Sequence, residues 1–450
     1  MDKEKVDITL PGGSRVVGVC ENGLVRVRGF KYAEAKRFRA PTPVSDTCHG
    51  SVDCTSPAPI CPQNPSRLNR VTGDLNRKQP MHEDCLNLSI TTPVQFLREK
   101  NKSSLPVMVW FHGGAFMSGG GDLDCYWPQG LAARNIVTVN VTYRLGIFGG
   151  LPVDGNVAPA NLFLLDQIEA LRWVQRNISA FGGDPGRVTV VGQSSGGMSV
   201  VCLMVTEQSN GLFQRAIIQS SPLGMPIDIP NGRQLSAFAK SELPQDPYAA
   251  STDELLRVQT RVVVEAKRLG IPRPFWPRFG EYPLPEVSSN LEHLVSRKAR
   301  QVPILMSWML DEATAFLPMI DWYAYYIKMP LVGPLFNALF NRSYSDKIFI
   351  GPAKRLHNAY RQAGGSSSTC CFRFRPQGSS LGATHCLDLP YLFGLPVDWK
   401  DSPMVHGAGS LDVIQRVGED VKNVWAAFIS GDALKPSHYD VDRTVSSWQF

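Results

Sequence analysis

The sequence predicts an α/β protein: a central, mostly parallel twisted sheet flanked by helices. Three observations lead there. The runs "LPVMVWFHGG" (105–114) and "NIVTVNVTYR" (135–144) are almost continuously apolar or β-branched, as strands buried on both faces should be. "LLDQIEALRWVQRNISAF" (164–181) places Leu165, Ile168, Leu171 and Val174 at helical spacing. Such runs then alternate along the chain, and alternation of this kind builds a parallel sheet covered by helices.

Taken in order, "VDITLPGGSRVVGV" (6–19) and "LVRVRGFKYA" (24–33) read as short strands, with Gly12-Gly13 and Asn22-Gly23 as turns. A polar loop runs from Cys61 to Cys85. After the strands at 105 and 135 and the helix at 164 come the strand "RVTVVG" (187–192), the helix "GGMSVVCLMVTE" (196–207) and the strand "RAIIQSS" (215–221). Residues 223–300 turn polar and proline-rich, with helical stretches such as "STDELLRVQTRVVVEAKRLG" (251–270). The sheet pattern resumes at "VPILMSW" (302–308) and "TCCFRFRP" (369–376), and "EDVKNVWAAFISGD" (419–432) reads as a closing amphipathic helix. The expectation is one domain over residues 1–450. Helical insertions at about 223–300 and the aromatic 315–345 would cover the site.

Composition narrows the class. Of 450 residues, 43% are hydrophobic and 19% charged, an ordinary globular balance. The net charge of +6 is spread out rather than clustered, which argues against a nucleic-acid partner. The most apolar stretch, 319–340, is broken by Asp321, Lys328, Pro330 and Pro334, so no membrane span is expected. The charged start "MDKEKVDITL" lacks the pattern of a secretory leader, and a cytoplasmic location is the expectation. The triplet Asn140-Val-Thr142 falls inside a core strand and is read as coincidental. Ten cysteines without a CxxC pair suggest neither a disulfide scaffold nor a zinc site. Cys370 and Cys371, adjacent in a strand, should point to opposite faces.

The chemistry concentrates at "GQSSG" (192–196), which fits G-x-S-x-G between a buried strand and a helix. That context makes a nucleophile elbow, a sharp turn presenting one hydroxyl above the sheet. Only Ser194 has glycines two residues away on both sides. "FHGGAF" (111–116) follows another strand, and small residues there let backbone N–H groups face a ligand. The N–H groups of Gly114, Ala115 and Ser195 would form an oxyanion hole, with Gly113 supporting the turn. A base and an acid should follow Ser194 in the order acid, histidine. Of His293, His357, His385, His406 and His438, His385 lies in a loop soon after a strand. Asp311 and Glu312 follow the strand "VPILMSWM", and spacing does not separate them.

These segments resemble the type-B carboxylesterases of the α/β-hydrolase fold, a family that includes cholinesterases and juvenile hormone esterases. The resemblance rests on "FGGDPGRVTVVGQSSG" (181–196) and "EDCLNLSITTP" (83–93), with "RVRGFKYAEAKRFRAP", "VTYRLGIFG" and "HCLDLPYLFG" among the supporting pieces. It implies Ser194 as nucleophile, Glu312 as acid, His385 as base and Ser220 as a hydroxyl near them. It implies structural ion pairs Arg37–Glu83 and Arg144–Asp166, and it matches Cys61 and Cys85 to the family's first disulfide loop, which a reducing compartment would leave as thiols.

Departures from the family pattern tighten the walls without removing a reactive group: Ala115, Phe163, Ala313 and Cys386 stand where glycine is usual. The 61–85 loop has no tryptophan on which a choline could stack. Gln193 is neutral where cholinesterases carry glutamate. The resemblance therefore implies hydrolysis of a neutral, small-molecule carboxylic ester through an acyl-enzyme, with no metal or organic cofactor, by a monomer or homodimer. The alternatives are an acyl transferase or lactone-cleaving enzyme using the same three residues and, further off, a non-catalytic neuroligin-like binding protein.

Overall fold

The apolar runs become the middle of a twelve-stranded sheet. The computed structural model describes residues 4–45, 50–98, 104–150, 160–225, 232–287, 291–330, 332–434 and 446–449. Its strands are β1 (Glu4–Thr9), β2 (Arg15–Glu21), β3 (Leu24–Lys31), β6 (Ser51–Asp53), β7 (Asn87–Pro93), β8 (Leu105–Phe111), β9 (Val137–Val141), β10 (Gly183–Gln193), β11 (Arg215–Gln219), β12 (Ile304–Met309), β13 (Ser367–Phe372) and β14 (Ser446–Gln449). Two short strands, β4 (Ala33–Glu34) and β5 (Thr42–Pro43), pair separately. The order across the large sheet is β1-β2-β3-β7-β9-β8-β10-β11-β12-β13-β14, with β6 beside β2.

Parallel pairing fills the centre, from β9 through β8, β10, β11 and β12 to β13. The β1–β2–β3–β7–β9 flank and the β13–β14 edge are antiparallel. The reason is local at the start of the chain: strands joined by tight turns can only return antiparallel. Asn22 and Gly23 make one such turn in the left-handed region, at φ 53° and 76°.

Alternation along each central strand divides the core in two. Val107, Val109 and Phe111 of β8 pack with the helices Leu162–Asn177, Ser195–Val205 and Thr252–Arg268 on one face. Met108 and Trp110 pack with Val421, Val424 and Trp425 of the helix Ser410–Ser430 on the other. Cys370 and Cys371 divide in the same way between the faces. Asn140 is buried in β9, where its side-chain amide donates to the carbonyls of Gly121 and Tyr126.

Both expected ion pairs form, Arg144–Asp166 buried and Arg37–Glu83 half-buried. Arg144 forks onto Asp166 at 2.6 and 2.8 Å, and Arg37 onto Glu83 at 2.5 and 2.8 Å. Cys61 and Cys85 are free, buried thiols, and Cys61 Sγ accepts the Leu145 N–H at 3.2 Å.

Segment 223–300 supplies the helices Gly232–Ser241, Thr252–Arg268 and Leu291–Ser296. Ser251 and Glu254 close a capping box at the start of the second. Segment 315–345 forms a helical hairpin from Asp321–Tyr326 and Val332–Ser345. Among the described residues no helix is long and apolar enough to cross a membrane.

Candidate active site

Because the central strands are parallel, the residues that follow β8, β10, β11, β12 and β13 all emerge at one edge of the sheet. This is the carboxyl edge, where ligands bind in open α/β sheets. The elbow at the end of β10 puts Ser194 at φ 57°, ψ −121°, a left-handed conformation that an L-residue holds only when its surroundings enforce it. The glycines make the turn possible. A methyl group on Gly192 would collide with the Gly196 backbone, and one on Gly196 with the Phe111 carbonyl. The Ser194 N–H donates to the Gln219 carbonyl of neighbouring β11 at 2.9 Å, locking the turn to the sheet.

Ser194 Oγ lies 2.8 Å from His385 Nε2, and His385 Nδ1 lies 2.5 Å from Glu312 Oε2. With the carboxylate accepting at Nδ1, the neutral ring carries its proton there and accepts the serine hydroxyl at Nε2. Glu312 and His385 are fully buried and Ser194 is 5% exposed. Burial disfavours the imidazolium, while Cys386 and the hydrogen-bonded Glu312 favour it; the balance raises the His385 pKa above its ordinary value.

The two adjacent carboxylates part ways. Glu312 Oε1 accepts the Met309 N–H at 2.8 Å, leaving Oε2 for the imidazole. Asp311 instead takes a bidentate Arg375 at 2.6 and 2.8 Å, the Asn341 amide at 3.0 Å and the Ala383 N–H at 2.9 Å. Asp311 thus ties the acid-bearing turn to the histidine-bearing loop, and Glu312 is left facing the ring.

The turn after β8 is held beside Ser194 by Gly113. A Cβ there would fall 2.7 Å from Gln193 Oε1 and 3.1 Å from Ser194 Cβ. Gly114, Ala115 and Phe116 follow at φ 118°, 58° and 57°. Among the described residues no hydrogen bond uses the Gly114 or Ala115 N–H. The Ser195 N–H begins a helix and has no intrahelical acceptor. The three therefore remain available to an incoming oxygen. His112 braces the turn from behind: its ring stacks on Tyr143 at 4.4 Å, Tyr143 Oη donates to its carbonyl at 2.6 Å, and burial lowers its pKa to about 4.

Of the other histidines, His357 is buried against Ser367 at 2.9 Å, His293 and His406 are exposed, and His438 lies outside the described residues. Ser220 follows β11, with its N–H donating to the Ser307 carbonyl at 2.7 Å and its Oγ buried without a partner.

Two features escaped the sequence reading. The Ser195 hydroxyl accepts the Phe116 N–H at 3.4 Å, pinning the turn after β8 to the elbow. Asp388 is fully buried one turn after His385, bonded to Gln219 Nε2 at 2.8 Å and pushed up to about 6 by burial, then by Glu312. A carboxylate inside the apolar run "CLDLPYLFG" was the available signal.

A sheet of this topology with such a serine elbow at its carboxyl edge defines the α/β-hydrolase class. The carboxylesterase family profile matches residues 21–324. Over 425 residues the chain is 34% identical to a probable N-octanoylanthranilate hydrolase of Rhodococcus erythropolis, covering 93% of this chain and 92% of that protein. Identity to the para-nitrobenzyl esterase of Bacillus subtilis is 31% over 446 residues, covering 92% and 88%. The solved structure of a thermophilic PNB esterase superposes with a TM-score of 0.74 at 26% identity, covering 96% of this chain and 92% of that one. The chain belongs to the carboxylesterase family and is a carboxylic ester hydrolase.

Proposed function

We propose that ester cleavage runs through an acyl-enzyme on Ser194. The observation that carries this reading is the buried hydrogen-bond chain Ser194–His385–Glu312 at the carboxyl edge of the sheet. His385 Nε2 takes the hydroxyl proton as Ser194 Oγ attacks the ester carbonyl. Glu312 stays ionised and stabilises the imidazolium that forms. The N–H groups of Gly114, Ala115 and Ser195 hold the oxyanion, with Gly113 letting the turn approach and Ser220 bordering the site. His385 then returns its proton to the leaving alkoxide. Water repeats the sequence on the acyl-enzyme and releases the acid.

The substrate on this reading is a small carboxylic ester without a cationic head group. Gln193 supports it: its amide nitrogen lies 3.3 Å from His385 Nε2 and 3.6 Å from Cys386 Sγ, a neutral group where an acid would attract a cation. Labelling with a para-nitrophenyl phosphonate, followed by peptide mass mapping, tests the assignment. The adduct is expected on Ser194, and Ser194→Ala should lower kcat by about 10⁴-fold or more and abolish labelling. An adduct on Ser195, or undiminished turnover by the variant, overturns it.

A further inference from the structure

The segments 223–300 and 315–345 meet at Arg273. Its guanidinium carbon lies 5.3 Å from the centre of the Trp276 ring and 5.6 Å from that of Phe316. Phe316 packs on the His385 ring at 5.0 Å, and Trp276 meets Phe116, the neighbour of Ala115, at 5.3 Å. The cation therefore stands one ring away from the imidazole and one ring away from the oxyanion turn.

Arg273 differs from the forked arginines of the frame in having no counter-charge. Arg37, Arg144 and Arg375 each fork onto a carboxylate. Among the described residues Arg273 has neither an ion pair nor a hydrogen bond, only its two rings. Two more guanidiniums lie close by. Arg70 donates to the Ala315 carbonyl at 2.6 Å, beside Phe316, and has no carboxylate partner of its own. Burial lowers the Arg273 pKa, Tyr344 opposes that, and the like charge of Arg67 adds to it.

A guanidinium whose neighbours are aromatic rings rather than hydrogen-bond acceptors keeps its N–H groups for a ligand, and that planar fork matches a carboxylate. We propose that Arg273 is the anchor of an anion subsite, and that the preferred substrate is an ester whose remote end carries a carboxylate. This rests on the Ser194 reading above and deepens it. The missing tryptophan and neutral Gln193 argue against a cation but are silent on an anion. On this proposal an acid-bearing ester replaces the neutral one expected from the sequence.

Two matched pairs test it and locate the acid: para-butanoyloxybenzoate against its methyl ester, and the mono-para-nitrophenyl ester of adipic acid against para-nitrophenyl hexanoate. The full-length enzyme should prefer the acid in at least one pair by about ten-fold in kcat/KM, carried by KM more than by kcat. Arg273→Gln should erase that ratio and Arg273→Lys restore part of it. Arg342→Gln, at an exposed cation of the hairpin, should leave the ratio unchanged. In the wild type, para-hydroxybenzoate or adipate should inhibit neutral-ester turnover competitively, and more strongly than its methyl ester does. Neutral esters turned over without an acid preference, or the same ratio in wild type and Arg273→Gln, overturns the subsite and leaves the hydrolase standing. A wild type that cleaves none of the four esters overturns the hydrolase reading first, and the subsite with it.

Discussion

The strand-end turns that carry Ser194, Glu312 and His385 and the helical hairpin of residues 321–345 are joined by only a few residues, yet they are built on opposite terms. In the turns all three side chains are buried, the Ser194 N–H is bonded to the Gln219 carbonyl of the sheet, and the Glu312 carboxylate accepts the Met309 N–H at the end of β12. In the hairpin, Tyr325, Leu335 and Leu339 are each more than 60% exposed, and Trp322 is half exposed. Its own core is small: Ala313, Leu317 and Tyr323 are fully buried, with Ile320, Ile327, Phe336 and Tyr344 packed against them. Chemistry that needs sub-ångström placement is held by the sheet. The hairpin is held by a few contacts, and can change without disturbing those turns.

Substitutions on the sheet side should therefore cost far more than substitutions on the hairpin, beginning with Glu312→Gln. Removing the charge should lower kcat by about 10³–10⁴-fold, by analogy with other catalytic acids. It should also move the acidic limb of kcat/KM to lower pH, because the carboxylate holds the imidazole pKa up. For the same reason the pair's contribution to stability is full below the ordinary histidine value of 6.5 and is lost as pH rises through the folded-state value. A limb that stays in place would mean that Glu312 does not govern the ring.

Arg144→Ala comes next. It leaves Asp166 buried without its partner and should cost about 3–5 kcal/mol in urea unfolding. A loss under about 1 kcal/mol would show that the Arg144–Asp166 pair does not brace the sheet side of the molecule.

Asp388 gives a smaller effect of opposite sign. Its carboxyl is raised from 3.8 to about 6, so its charged form destabilises the fold as pH rises through that window. Asp388→Asn should gain up to about 3 kcal/mol on wild type between about pH 4 and pH 8. An unchanged difference across that range would contradict a strained carboxylate behind His385.

Trp322→Ser should be the mildest, costing under about 1 kcal/mol, since the ring is half exposed and meets the Tyr323, Phe336 and Phe340 rings of its own hairpin. Thermal unfolding of the two proteins side by side checks it. A large loss would place the hairpin inside the main cooperative unit and erase the contrast.

The same contrast explains what could be read from the sequence. The elbow was legible because Gly192 and Gly196 answer to local sterics. The buried strands were legible because both faces are apolar, as in β8, where every residue is buried. Asp311 and Glu312 were not separable by spacing, because Arg375, Asn341 and Ala383, which engage Asp311, come from distant stretches. The helix Gly351–Gln362 and the edge strand β14 went unread; a four-residue strand leaves too short a pattern to register. Arg273 was invisible for a related reason. The partners that define it, Trp276 and Phe316, come together only when two separate segments meet.

Strand β14 has one more consequence. It pairs antiparallel along β13, from Phe372 opposite Ser446 to Thr369 opposite Gln449, and closes that border of the sheet. Those four residues act as a selvage: cut away, they would leave β13 with a row of unsatisfied amides and carbonyls, open to stitching by another copy of the chain.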